Sequence, residues 1–226
     1  MRHALIAACA LAIGASAAKG AVLYNQPFDG LGNPTASQND TNGFGNFATV
    51  YDNFLLGSSA TITSVDWTGS YYNPASQSAI TAFTISFYAD SGGPTGSALY
   101  TTSVSGTANE TFLGNYAGFP TYTYDLPVNF TAAAGTTYWM SVVPDLGFPP
   151  QWGWEGGTGG DGVSYQDFFG NRSALPADAA FTLNGAGGAP EPAAWAMMIL
   201  GAFGTGALLR RRRAQELALV RVRIAS

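Results

Sequence analysis

The stretch YTYDLPVNF, residues 122–130, decides the fold class. Every second residue in it, Tyr122, Tyr124, Leu126, Val128 and Phe130, is apolar or aromatic, with Thr123, Asp125, Pro127 and Asn129 between. A period of two puts the first set on one face of a strand and the second on the other, the pattern of a half-buried β-strand. Pro127 has no N–H for a ladder bond, so it belongs at a sheet edge or a bulge.

Outward from this segment the same signal recurs. Residues 82–89 alternate with Phe83, Ile85 and Phe87 on one face, and further strands are expected at 47–56, 60–67, 136–143 and 179–183. Runs 90–96 and 156–162 are loops by their glycine content. No segment between 22 and 185 carries a 3.6-residue apolar period. Many short strands between turn signals predict an all-β, antiparallel β-sandwich of jelly-roll type, and 226 residues with 46% hydrophobic content suffice for one core.

Both ends of the chain depart from this pattern. Residues 1–18 begin with Arg2 and His3, continue through an apolar run and end in small residues, the layout of a secretory signal peptide. The expected partners there are the Sec machinery and signal peptidase. Cleavage would remove Cys9 and His3, the single cysteine and single histidine of the chain. Disulfides, Cys/His zinc sites and Ser-His-Asp chemistry are thereby excluded from the mature protein, whereas carboxylate chemistry is not.

The whole-chain charge of -5 hides a regional imbalance. Between Gly20 and Ala189 twelve acidic residues face one base, Arg172, so this body carries a net charge of one minus twelve, or -11. Such a surface repels phosphate backbones, and nucleic acid is not an expected partner.

After a small-residue linker at 186–189 the sequence reads PEPAAWAMMILGAFGTGALLRRRR, residues 190–213. Residues 193–209 carry no charge and would form a helix about 26 Å long, near the minimum for a bilayer span. Trp195 suits an interfacial aromatic, and Arg210, Arg211, Arg212 and Arg213 would hold the far end in the cytoplasm. Pro190, Glu191 and Pro192, then Trp195, the apolar span and the four arginines resemble the PEP-CTERM sorting signal in its PEPxxWA variant, over about 25 residues.

That resemblance implies a Gram-negative producer of extracellular polysaccharide and an exosortase that cuts near Pro190-Glu191-Pro192. It also implies a protein held briefly in the inner membrane, N-terminus out and C-terminus in, and then delivered to the envelope or outside the cell. The sequence departs from the pattern in continuing through a further tail, 214–226, after the arginines. A permanently anchored single-pass ectodomain, 19–185, is the alternative.

Within the body, the segment 148–155, FPPQWGWE, is the leading candidate for glycan recognition. If extended, it points Trp152 and Trp154 to one face for stacking on sugar rings, with Glu155 beside them to bond hydroxyls; alternatively the two rings seal one end of the core. Trp67 and Trp139, inside expected strands, read as core. Glu110, Glu155 and Asp161 are the nominal acids for a polysaccharide hydrolase or lyase, although no spacing singles out a pair. Asp90, Asp161 and Asp167 lie in or near glycine-rich loops and could ligate a structural calcium or simply form turns; no other cofactor or metal is expected. The expectation is a non-catalytic exported protein of the envelope or extracellular matrix, with a structural or glycan-binding role.

Overall fold

The computed structural model describes residues 20–185. The segments expected to be a signal peptide at 1–18, the linker at 186–189, a sorting motif at 190–213 with a helix at 193–209, and a tail at 214–226 lie outside the described residues.

Sixteen strands follow one another without a helix among the described residues. They are β1 (Ala21–Gln26), β2 (Thr35–Ala36), β3 (Gln38–Asp40), β4 (Gly45–Leu55), β5 (Ala60–Tyr72), β6 (Ala82–Ala89), β7 (Tyr100–Ser105), β8 (Thr111–Tyr116), β9 (Phe119–Ala132) and β10 (Thr137–Leu146), then β11 (Gln151–Trp154), β12 (Gly156–Gly157), β13 (Ser164–Phe168), β14 (Asn171–Leu175), β15 (Asp178–Ala179) and β16 (Phe181–Gly185). Sheet 1 has β1, β16, β5, β11 and β2 in order, with β9 and then β8 on the other side of β5. Sheet 2 runs β14-β13-β4-β3-β10-β6-β7, with β4 also pairing β10. Pairing is antiparallel except for a short parallel contact between β3 and β10.

The decisive stretch lies in β9, and its alternation is realised side chain by side chain. Tyr122, Tyr124, Leu126, Val128 and Phe130 are all buried in the main core, while Pro127 and Asn129 are exposed. Pro127 meets both conditions its ring requires: it lies beyond the segment that pairs β8, and it sits opposite Ser64 where the β5–β9 register shifts.

The two sheets pack face to face as a β-sandwich through aromatic contacts. Phe83 of β6 meets Trp67, Tyr124 and Trp152 at centroid distances of 5.1, 5.0 and 5.6 Å, and Phe87 stacks on Phe130 at 4.5 Å. Each such pair adds about 0.5–1.5 kcal/mol beyond its area burial. Gly69 is required on the inner face of β5, because a Cβ there would lie 2.1 Å from the Trp152 ring.

Expected strand 60–67 extends to Tyr72, 136–143 extends to Leu146, and 179–183 divides into β15 and β16. Trp139 differs from expectation. It is buried, but Met140 and Val142 take the core-facing positions, which turns Trp139 outward beneath Tyr165 at 5.2 Å, its indole N–H donating to Asp90 at 2.7 Å.

Candidate functional site

The segment 148–155 is divided by the fold. In β11, Trp152 and Trp154 do share a face, but that face is the core, where they are 0% and 1% exposed. The Trp152 indole donates to the Tyr124 hydroxyl at 3.1 Å and the Trp154 indole to the Ala180 carbonyl at 2.9 Å. Their ring faces are therefore unavailable to a sugar, and the stacking expectation for them is corrected. Pairing of β11 with β5 on one side and β2 on the other fixes this orientation.

Glu155 follows on the opposite face and is also fully buried. It accepts a short hydrogen bond from Ser70, whose hydroxyl also pairs with Thr121 at 2.7 Å. Burial pushes its carboxyl above the ordinary range, the Ser70 bond pulling the other way and nearby Asp29 adding to the rise. Glu110 accepts from the Tyr71 and Tyr124 hydroxyls at 2.6 and 2.9 Å, while Asp161 accepts from Asn53 at 2.9 Å and the Val163 amide at 3.0 Å. Five cavities of about 240–340 Å³ among the described residues bring no two of these three acids together.

The loop aspartates are engaged by protein donors. The Trp139 bond holds the exposed Asp90 carboxyl below the usual range against a smaller opposing desolvation, and the Gly93 amide donates to it at 3.0 Å. Asp167 is held low by the bidentate Arg172 guanidinium, with both contacts at 2.7 Å. Among the described residues no group of three or more His, Cys, Asp or Glu side chains is arranged to hold a metal.

The arrangement that sequence reasoning missed is on the outer face of sheet 2. A groove of about 250 Å³ runs across β3, β4, β10 and β6, lined by Asn39, Asn46, Tyr51, Tyr88, Ser141 and Asp145 with the hydroxyls of Thr49, Thr84 and Ser86. The Tyr51 and Tyr88 rings meet edge to face at 5.4 Å, and Arg172 covers Tyr51 at 4.9 Å from its centroid. Burial raises the Tyr51 hydroxyl well above its ordinary value, so it stays a neutral donor, bonded to Asp167 at 3.2 Å. Asp145, the one charged residue in the lining, accepts from Asn39 at 2.8 Å.

Such a groove offers hydroxyls, carboxamides, aromatic edges and one carboxylate, the donor and acceptor types that bond sugar hydroxyls. The sequence signal was present only as outward positions of alternating strands, and nothing in the linear pattern says that Tyr51, Tyr88 and Ser141 become neighbours.

Sheet 1 carries a different outer face. Asp66 and Asp125 lie directly opposite each other across β5 and β9, in a groove of about 340 Å³ bordered by Thr68, Thr111 and Thr123. Asn184 donates to Asp66 at 2.7 Å and Asn109 to Asp125 at 3.1 Å.

No protein-family model matches this chain, and no curated protein matches it either.

Proposed function

We propose that this chain is a non-catalytic exported protein of the envelope or extracellular matrix whose jelly-roll-like ectodomain recognises a glycan in the outer groove of sheet 2. The observation that carries this reading is the groove itself, where two tyrosines, two asparagines, a ladder of hydroxyls and Asp145 converge. The sequence supports export: residues 1–18 have the signal-peptide layout, and 190–213 resemble a PEP-CTERM signal that an exosortase processes at the inner membrane.

A second reading has one specific observation in its favour. Carboxylates opposed across an antiparallel pair have Cβ atoms about 5 Å apart, close to the roughly 5 Å that separates the two acids of a retaining glycosidase. Asp66 and Asp125 form such a pair, and a carboxylate-dependent polysaccharide hydrolase or lyase would use them rather than Glu110, Glu155 or Asp161.

One experiment separates the readings. Protein collected from culture medium is run through gels containing the producer's polysaccharide, and the polymer is then sized for breakdown. Retardation without breakdown, lost in Tyr88→Ala and Asn39→Ala, is the expected result. Breakdown abolished by Asp66→Asn or Asp125→Asn would replace it with the enzyme reading. The intact mass of the same protein should end near Pro190–Pro192; a chain found only in membranes and still ending at Ser226 would make it a permanent anchor instead.

A further inference from the structure

Five phenylalanines from three separate turns meet at one end of the sandwich. Phe44 comes from the β3–β4 turn, Phe47 from the start of β4, Phe148 from the loop before β11, and Phe168 with Phe169 from the β13–β14 turn. Phe169 lies 5.8 Å from Phe44 and 5.3 Å from Phe47, and Phe44 lies 6.0 Å from Phe148. Phe44, Phe168 and Phe169 remain 59%, 41% and 55% exposed. Together the five enclose a pocket of about 240 Å³ whose rim is completed by the carboxamides of Asn73 and Gln151.

Two features hold this cluster in place. The Asp40 carboxylate accepts the backbone amides of Phe148 at 2.7 Å, Phe44 at 2.8 Å and Asn42 at 2.9 Å, tying two of the three turns to one anchor. In the third turn Phe169 and Gly170 both have positive φ, +48° and +78°. Asn and Gly are the usual occupants of such a turn, and a bulky aromatic in the left-handed region is strained. The fold thus displays a ring where a smaller residue would fit the backbone better.

We propose that this pocket takes the apolar ring face of a neutral polysaccharide, one polymer passing from the groove of sheet 2 onto the phenylalanines. Two observations select that occupant. The pocket and the groove are neighbours along β4, since Asn46 lines the groove and stands between Phe44 and Phe47 of the pocket in the chain. No charged side chain lines the pocket, although the body carries twelve acids, so an anionic polymer would meet repulsion without a compensating base.

This inference rests on the glycan reading of the groove, and its test separates the two. The released protein is titrated with a soluble neutral β-glucan, an anionic polyuronate and phosphatidylethanolamine–phosphatidylglycerol vesicles, and its sedimentation is followed against concentration. The expected result is binding to the neutral polymer alone, weakened about tenfold by either Phe44→Ala or Phe169→Asn. If Tyr88→Ala abolishes binding and neither phenylalanine variant changes it, the pocket inference fails while the groove stands. If the phenylalanine variants lose binding and Tyr88→Ala does not, the pocket alone holds the polymer, and both the groove reading and the path from groove to pocket fail. No binding to the neutral polymer, binding to vesicles, or self-association abolished by Phe169→Asn would overturn the proposal.

Discussion

Phe148 and Trp152 are four residues apart, yet one joins a solvent-facing aromatic pocket and the other vanishes into the core. Both belong to the aromatic-rich segment 148–155, and composition treats them alike. The difference lies in what each neighbour can offer. Trp152 enters β11, where Gly69 leaves space for its ring and Tyr124 accepts its N–H; Phe148 sits in the preceding loop, held by a backbone bond to Asp40 and by the exposed Phe44 ring. Burial of an aromatic is therefore decided by the cavity waiting for it, and the chain uses one set of rings to hold the sheets together and another to face outward.

The comparison breaks most readily at Trp152. Trp152→Ala removes a buried ring from between Phe83 and Tyr124 and should cost about 3–5 kcal/mol, seen as a lower urea midpoint. A variant as stable as the parent would mean that this ring is not core. Asp40→Ala, which withdraws three charge-assisted bonds from the pocket's turns, should cost on the order of 2 kcal/mol and should loosen Phe44 and Phe148 in amide exchange.

Acid should imitate that variant. Burial alone would raise the Asp40 carboxyl, but the Phe148, Phe44 and Asn42 amides outweigh it and hold it below the usual range. A folded pKa below the unfolded one stabilises fully above the unfolded value, about 4, and the contribution is lost as pH falls through the folded value. Exchange at the pocket that stays unchanged well below pH 4 would contradict this assignment. The smallest effect has the opposite sign: Phe169→Asn should stabilise the protein by about 1 kcal/mol, the strain of a bulky residue at positive φ, while weakening the proposed glycan binding. Equal losses of stability and binding would show that Phe169 is held for packing rather than display.

Strand β9 and strand β6 were legible because alternation over eight or more residues leaves one reading of which face is buried. Strand β14, with nearly every side chain exposed, gives no such signal; its place comes from backbone pairing with β13, anchored by the Asp167–Arg172 pair. Trp139 was legible as buried but not as outward-facing, since a tryptophan beneath Tyr165 and a tryptophan in the core look the same in one dimension.

For the site, the identity of segment 148–155 as aromatic-rich was visible, and its division between core and pocket was not. Tyr88 and Tyr51 stand 37 positions apart in the chain and meet only because β4 and β6 both pair β10.

The sequence by itself determined the all-β fold class and the acidic character of the body, because periodicity and charge are properties of the chain. Which rings are buried and which exposed, which carboxylates face each other and which hydroxyls share a groove were decided by tertiary structure alone. Those depend on strand register and on the order of strands in each sheet, where a shift of one residue would send every side chain to the other face.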